Sequence, residues 1–274
     1  MTRTLVSVDD LAARLGDASL RIADCRWYLD EPERGAAAYR EAHVPGAVYV
    51  DLERDLSATD GPGRHPLPAR EEFARRMGDL GIGDDHLVVA YDDRGGAVAA
   101  RLWWMLRDVG HPAVAVLDGG LPAWEAAGYP VTDEVPDPPP ATLSVRPGPT
   151  RTVDRAAVRA SLGSLRLLDA RAAERYRGEA EPIDPVAGHI PTAHSVPLTG
   201  NLDERAHFLS PRMLAERYAP HEGHDVAVYC GSGVTACHDI LAMVHAGLDE
   251  PALYPGSWSD WSTAGLPVAT GDDA

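Results

Sequence analysis

The sequence predicts an α/β protein of two tandem three-layer domains, each a parallel sheet flanked by helices. Three observations support this fold class. Short apolar runs alternate with segments of helical apolar spacing, which is the pattern of parallel βα units. Many of these segments occur twice along the chain. A proline-rich stretch separates the two copies.

The composition limits the classes of function. The 274 residues allow one large or two ordinary domains, and 45% apolar residues are enough for hydrophobic cores. The net charge of −17 argues against nucleic acid and anionic membranes as partners. No apolar run approaches the roughly 20 residues of a membrane span, and the N-terminus has no hydrophobic signal core. We therefore expect a cytoplasmic protein with no membrane or nucleic-acid partner.

The repeat is clearest where a short helix is followed by an apolar strand ending in Asp-x-Arg, in residues 8–26 and again in 153–171. A histidine before Val-Pro or Ile-Pro recurs at His43 and His189, which favours a shared structural role for these two residues. The repeat also places Arg171 where the first copy has an arginine, so a structural ion pair is expected there.

The proline-rich stretch marks the boundary between the copies. Four of the five residues 136–140 are proline, which forbids regular structure and favours an extended linker over a docking site for another protein. We predict an inactive domain over 1–135, a linker over 136–150 and a catalytic domain over 151–274.

The candidate nucleophile, Cys230, follows the β-branched run 226–229, and helical spacing resumes at Val234. The cysteine is thus expected between the end of a strand and the first turn of a helix, where unpaired backbone N–H groups and the helix dipole favour an anion. Gly231 and Gly233 let these amides converge on a thiolate or on a larger sulfur anion. A buried structural cysteine is the alternative.

The other cysteines, Cys25 and Cys237, read as core residues. Cys237 lies two helical turns beyond Cys230, at least ~10 Å along the axis, whereas a disulfide needs Cα atoms within about 7 Å. The three cysteines make no disulfide framework and lack zinc-site spacing, so no metal and no cofactor is expected. The strand end of the first copy carries Asp92, which cannot replace a thiolate, so that half reads as an inactive structural partner.

The sequence of the cysteine loop resembles a known family. Cys230-Gly-Ser-Gly-Val-Thr-Ala236 is similar to the active-site loop of the rhodanese (sulfurtransferase) family, and most closely resembles its 3-mercaptopyruvate branch. Thiosulfate-preferring rhodaneses typically carry a basic pair after the cysteine, where this chain has Gly231 and Ser232. The segments 39–47 and 254–261 resemble two further family signatures, so the resemblance covers nearly the whole chain.

The resemblance implies two tandem rhodanese-like domains and a two-step sulfur transfer. The thiolate of Cys230 would take a sulfane sulfur from a small anionic donor, 3-mercaptopyruvate, and hold it as a persulfide. A thiol or cyanide would then accept it, and a thioredoxin-like protein is one such thiol. Thiosulfate is the alternative donor.

The resemblance also assigns site residues. Arg175 matches the donor-binding arginine, whereas a second arginine that mercaptopyruvate enzymes often carry is missing from 178–185. Ser232 would relay a proton or hydrogen-bond the persulfide, or is simply a small polar loop residue. In the family, an acidic residue and a histidine of the first domain face the cysteine loop. Glu53 and His65 are the residues of this chain nearest to those two positions. The remaining candidates are the possible donor-binding Arg171 and the loop residues Gly231, Gly233, Val234, Thr235 and Ala236, of which Thr235 is expected to cap the helix or bond a loop amide.

Two functions of other classes compete with this interpretation. A Cdc25-like phosphatase needs Cys-x5-Arg, but Ala236 stands where that arginine would be. A non-catalytic binding module is less well supported, because the cysteine and its loop are intact.

Overall fold

The computed structural model describes residues 4–272, which form two compact units. Each unit takes in a short segment from the other half of the sequence. The first unit comprises 4–57, 68–149 and Glu204–Phe208, and the second comprises Ala58–Leu67, Thr150–Asp203 and 209–272. The division into domains 1–135 and 151–274 stays a prediction.

The first unit is built on a five-stranded sheet in which each strand pair is parallel. Its strands are β1 (Leu5–Val6), β2 (Leu20–Asp24), β3 (Ala47–Tyr49), β4 (Leu87–Tyr91) and β5 (Val114–Leu117). Its helices are α1 (Val8–Ala12), α2 (Arg34–Glu41), α3 (Arg70–Asp79), α4 (Ala99–Asp108) and α5 (Gly120–Ala126). The strand order is β1-β5-β4-β2-β3.

The second unit repeats this plan with a four-stranded parallel sheet. Its strands are β6 (Arg166–Asp169), β7 (His194–Ser195), β8 (Val226–Tyr229) and β9 (Ala252–Leu253). Its α-helices are α6 (Arg155–Ala160), α7 (Ala173–Arg177), α8 (Pro211–Tyr218), α9 (Ala236–His245) and α10 (Ser257–Thr263), and two 3₁₀ helices cover Leu198–Asn201 and Ala219–His221. The strand order β7-β6-β8-β9 matches β3-β2-β4-β5 of the first unit.

This correspondence confirms the predicted fold class and the duplication. Even the edge strand β1 has a counterpart, because Thr152 forms a parallel bridge with Leu253 where Leu5 pairs with Val116 in the first unit. All four residues of β8 are buried, as expected of a central parallel strand.

The repeated histidines have the structural role that their duplication predicted. His43 Nδ1 lies 2.7 Å from the Tyr39 carbonyl oxygen, and His189 Nδ1 lies 2.8 Å from that of Tyr176. Each imidazole also stacks on the ring of the same tyrosine, at centroid distances of 4.1 and 3.7 Å. Both histidines are fully buried, so they fasten a loop to the core of each unit.

The proline-rich stretch is extended, as predicted, and it packs on the first unit. Between Asp133 and Pro149 the backbone forms neither helix nor strand. Ala141 donates its N–H to the Gly78 carbonyl at 2.9 Å, and Arg146 donates to that of Val109 at the same distance.

Within residues 4–272, no helix is both long and apolar enough to cross a membrane.

Candidate active site

Cys230 lies in the tight bend between β8 and α9, where the sequence placed it. Only 1% of the residue is exposed, yet its sulfur has a polar neighbour. The N–H of Gly233 donates a hydrogen bond to Sγ at 3.1 Å. Gly233 has a φ of +79°, and a Cβ there would come within 2.4 Å of the Pro255 carbonyl oxygen, so only glycine fits without strain.

The start of α10 holds this bend from the other side. Cys230 donates its backbone N–H to Ser257 Oγ at 3.1 Å, and its carbonyl accepts the N–H of Trp258 at 3.0 Å. The next carbonyl, of Gly231, accepts the N–H of Ser259 at 2.9 Å. These bonds fix the backbone on both sides of the sulfur, so the direction of the Gly233 amide is set before any ligand arrives.

Two guanidinium groups lie against the loop. A Cβ built on Gly231 would be 3.1 Å from Nη2 of Arg64 and 3.6 Å from Nη1 of Arg175. A side chain at residue 231 would therefore displace these cations. The structure thus places the predicted Arg175 beside the loop of the predicted nucleophile, and it adds Arg64, which sequence reasoning missed.

Two carboxylates hold these cations in place. Glu181 accepts from Arg175 Nη2 at 2.6 Å, and Asp184 accepts from Arg175 Nη2 at 3.2 Å and from Arg64 Nη1 at 2.5 Å. Burial alone would raise the pKa of Glu181, but the hydrogen bonds from Arg175 and from the amides of Asp184 and Ile183 lower it. Glu181 is therefore an anion at neutral pH.

Arg171 is part of a buried ion pair. Its Nη2 donates to Asp169 at 2.7 Å and to the Gly188 carbonyl at 2.7 Å, and its guanidinium lies 4.6 Å from the ring centroid of Trp258. Arg26 makes the equivalent 2.7 Å contact with its own Asp-x-Arg aspartate in the first unit. A structural role, as the repeat predicted, accounts for these contacts. Arg171 Nη1 also donates to Glu181 at 3.2 Å, and Glu181 in turn accepts from Arg175.

Ser232 and His65 are hydrogen-bonded to each other. Ser232 Oγ and His65 Nδ1 are 2.7 Å apart, and the two residues are 7% and 3% exposed. His65 belongs to the 58–67 segment, which packs in the second unit. The two predicted candidates are therefore in contact with each other, and Ser232 is two residues after Cys230 in the chain.

Other predicted residues are placed differently. Glu53 is exposed and lies in the first unit, and its role stays a prediction. Thr235 occupies the N-cap position of α9 with a helical backbone (φ −73°, ψ −14°), and its side chain makes no capping hydrogen bond, so the predicted helix cap is wrong. The alternative, a bond from Thr235 to a loop amide, stays a prediction. Val234 and Ala236 are buried. Cys237 is core, as predicted, and its thiol lies 3.4 Å from the Gly233 carbonyl oxygen.

The helix behind the cysteine loop contains a buried acid. Asp239, in α9, is fully buried, accepts a 2.7 Å hydrogen bond from Asn201 through Oδ1, and has no hydrogen-bond partner at Oδ2 among the described residues. Burial raises its pKa from 3.8 to about 7. The folded protein therefore keeps a proton on Asp239 at pH values where the unfolded chain has released it.

This shift predicts a pH-dependent contribution to stability. The free energy of unfolding should fall as pH rises from about 4 to about 7, and Asp239→Asn should remove that part of the dependence. The difference in the free energy of unfolding between wild type and Asp239→Asn should change by about 1 to 4 kcal/mol over this pH range, since one pKa unit is worth about 1.4 kcal/mol. Urea unfolding at several pH values measures it, with the exposed Asp225→Asn as control. A constant difference between wild type and Asp239→Asn would contradict the prediction.

The bend after β4 is the counterpart, in the first unit, of the Cys230 loop, and it has a carboxyl group where that loop has a sulfur. Asp92 is 1% exposed, and its carboxylate accepts four backbone N–H groups at 2.8–2.9 Å. The donors are Arg94, Gly96, Val98 and Ala99. The side chain of Asp92 therefore satisfies the amides of this bend.

Comparisons with known proteins agree with this geometry. The model of the rhodanese-like domain matches residues 7–127 and 152–264. The chain belongs to the rhodanese-like family. The family resemblance inferred from the cysteine loop is thereby confirmed. Each unit contains most of one matched domain.

Individual relatives of this rhodanese-like protein extend over nearly its whole length. A Pseudomonas aeruginosa protein named "Probable 3-mercaptopyruvate sulfurtransferase" is 47% identical and covers 98% of each chain. The thiosulfate sulfurtransferase of Rattus norvegicus is 35% identical over 94% of this chain and 92% of its own. The structure of 3-mercaptopyruvate sulfurtransferase from Leishmania major superposes with a TM-score of 0.84 at 31% identity, covering 96% of this chain and 75% of that one. The predicted enzyme class, a sulfurtransferase, is thus confirmed.

Proposed function

We propose that this protein transfers a sulfane sulfur from 3-mercaptopyruvate, through a persulfide on Cys230, to a thiol or to cyanide. The observation that carries the proposal is the Cys230 sulfur, which accepts the Gly233 N–H at 3.1 Å in a loop whose Gly231 lies beside two guanidinium groups. An amide donor and nearby cations stabilise a thiolate, which is the nucleophilic form of cysteine. The name of the 47% identical relative supports the choice of donor.

In the first step, the Cys230 thiolate attacks the sulfur of 3-mercaptopyruvate. An S–S bond forms and the C–S bond breaks, with its electron pair leaving on carbon as the enolate of pyruvate. The proton of the donor's thiol ends on that carbon, so the products are pyruvate and an anionic persulfide. The Ser232–His65 pair, 2.7 Å apart, is our candidate for moving that proton.

In the second step, an acceptor attacks the outer sulfur of the persulfide. The new bond forms as the S–S bond to Cys230 breaks, which returns the thiolate to the enzyme. A thiol acceptor becomes a persulfide and cyanide becomes thiocyanate. The fixed Gly233 amide would stabilise the sulfur anion in both steps. We propose that the backbone of the loop 231–236 binds the sulfur species and that Arg175 binds the donor's carboxylate.

The charges around the loop support 3-mercaptopyruvate over thiosulfate. Gly231 and Ser232 are neutral, and the guanidinium groups of Arg64 and Arg175 are matched by the carboxylates of Asp184 and Glu181. Because each of these cations is paired with a carboxylate, the site would attract a compact dianion such as thiosulfate only weakly. A forked cation suits the planar carboxylate and keto groups of an α-keto acid.

We further propose that the protein works in the cytoplasm, because a reactive thiolate requires a reducing compartment. A thioredoxin-like protein would fit the acceptor role through its own thiol. The domain over 1–135 would be catalytically inactive, since the position equivalent to Cys230 carries Asp92.

Parallel kinetics with the two donors tests the proposed function. With cyanide as acceptor, kcat/KM for 3-mercaptopyruvate should exceed that for thiosulfate by at least about tenfold, which is the effect of about 1.4 kcal/mol. Thiocyanate and pyruvate are the measured products. Equal or higher kcat/KM with thiosulfate would make thiosulfate the preferred donor. No transfer from either donor would overturn the proposal.

A further inference from the structure

Arg64 is an unassigned cation next to the nucleophile's loop. It lies in the 58–67 segment, which packs in the second unit, and 28% of its side chain is exposed. Its backbone N–H donates to Ser259 Oγ at 3.0 Å, so the residue is tied to the helix α10 that also holds the cysteine loop. The adjacent Gly63 has a φ of +82°, and a Cβ there would lie 2.5 Å from the Gly256 carbonyl oxygen. The backbone thus positions Arg64 with little freedom.

The guanidinium of Arg64 is only partly used by the protein. Nη1 donates to Asp184 at 2.5 Å, whereas the buried Nε has no hydrogen-bond partner among residues 4–272. Nη2 is the atom nearest to the position of a Cβ on Gly231, at 3.1 Å. A buried donor without a partner is unfavourable, and an acceptor on a ligand would relieve that cost.

Asp184 holds two arginines side by side. Its side chain is 3% exposed, and its two oxygens accept from Arg64 Nη1 at 2.5 Å and from Arg175 Nη2 at 3.2 Å. Glu181 orients the far edge of Arg175, through 2.6 and 3.2 Å contacts. Two like charges would otherwise repel each other, so the shared carboxylate keeps both forks against the cysteine loop.

We propose that Arg64 and Arg175 together form the binding site for the carboxylate of the sulfur donor, with Asp184 as the positioning residue. This inference rests on the proposed function and names the site that makes the enzyme select an α-keto acid. Arg64 supplies the second cation that is missing from 178–185, and it does so from a different part of the chain. Two forked donors side by side match a planar carboxylate with an adjacent keto oxygen better than a tetrahedral sulfur oxyanion.

Arg64→Ala tests this site. KM for 3-mercaptopyruvate should rise at least about tenfold, whereas kcat should change less than about threefold, since binding is lost and the nucleophile is kept. KM for thiosulfate should rise by a smaller factor. Arg177→Ala is the matched control, because Arg177 pairs with the exposed Glu179 at 2.8 Å, and its KM should equal that of wild type.

A binding measurement separates this inference from turnover. Pyruvate keeps the carboxylate and keto groups but has no sulfur to transfer, so calorimetric titration reports the site alone. Its affinity should fall at least about tenfold in Arg64→Ala, which is about 1.4 kcal/mol. Arg64→Lys should recover part of it, since lysine keeps the charge and loses the fork.

Each outcome has one meaning. If wild type transfers sulfur from neither donor, the proposed function fails. If wild type uses 3-mercaptopyruvate but Arg64→Ala retains both KM and pyruvate affinity within twofold, only the role of Arg64 is refuted. Should Arg64→Ala unfold, Arg64→Lys decides, because an unchanged KM and pyruvate affinity in that variant would refute the carboxylate site.

Discussion

Replacing Cys230 with serine is expected to abolish sulfur transfer from both donors, lowering kcat by at least about 10³-fold, as when other covalent nucleophiles are removed. A serine hydroxyl is almost never ionised at pH 7, and its oxygen cannot form a persulfide. The residue is buried and of similar size, so the fold should persist. Initial rates of thiocyanate formation measure the loss.

Cys237→Ser is the matched control for this experiment. Cys237 is buried on α9, and its thiol already contacts the Gly233 carbonyl at 3.4 Å, a contact that a hydroxyl can keep. Transfer should continue in this variant. After treatment with the donor, mass spectrometry should detect the added mass of one sulfur atom on the peptide containing residue 230, in wild type and in Cys237→Ser. Turnover above background in Cys230→Ser, or a sulfur adduct on another cysteine alone, would refute the assigned nucleophile.

The parts of this site that follow one another in the chain could be predicted from the sequence. A buried strand, a cysteine, two glycines and a helix occupy residues 226–245, and hydrogen bonds between near neighbours determine that geometry. The ion pair of Arg171 was predictable for a different reason. Its Asp-x-Arg motif occurs in both copies, and the aspartate lies two residues away, so no long-range information is needed.

The parts that depend on distant packing could not be predicted. Arg64 and Asp184 are 120 residues apart, and nothing in the local pattern of either indicates that they form an ion pair. The 58–67 segment reads as a glycine- and proline-rich loop of the first half, yet it packs in the second unit. Only the family resemblance indicates His65, and the same resemblance places a second arginine within 178–185, so it gives no indication of Arg64.

The two bends at Asp92 and Cys230 show one physical rule with two outcomes. Each follows a central strand, and in each a backbone N–H of the bend donates to the side chain at the strand's end. In the first unit the acceptor is the carboxyl group of Asp92, which takes four such hydrogen bonds. In the second unit the acceptor is the sulfur of Cys230, the nucleophile that we propose, which takes the N–H of Gly233. The bend in the first unit is therefore closed by a side chain of its own.

Asp92→Ala should consequently destabilise the protein strongly, although Asp92 lies outside the proposed active site. It would leave four buried N–H groups without an acceptor, and a buried donor that loses its partner costs about 1–3 kcal/mol. Because neighbouring bonds are not additive, we expect a loss of at least about 3 kcal/mol in the free energy of unfolding. Urea unfolding measures the loss, and hydrogen exchange of the Arg94, Gly96, Val98 and Ala99 amides should accelerate.

Asp118→Ala provides the comparison, because this aspartate follows β5 and accepts only the Phe208 N–H among the backbone hydrogen bonds described, at 2.8 Å. Its loss should stay within about 1.5 kcal/mol. Asp92→Asn should fall between the two, since the amide oxygen can still accept while its NH₂ group faces donors. A loss for Asp92→Ala no larger than that for Asp118→Ala, with unchanged exchange at the four amides, would show that the bend holds its shape without an anion. A bend of this kind that needs no anion would give no reason to expect a stabilised thiolate at Cys230.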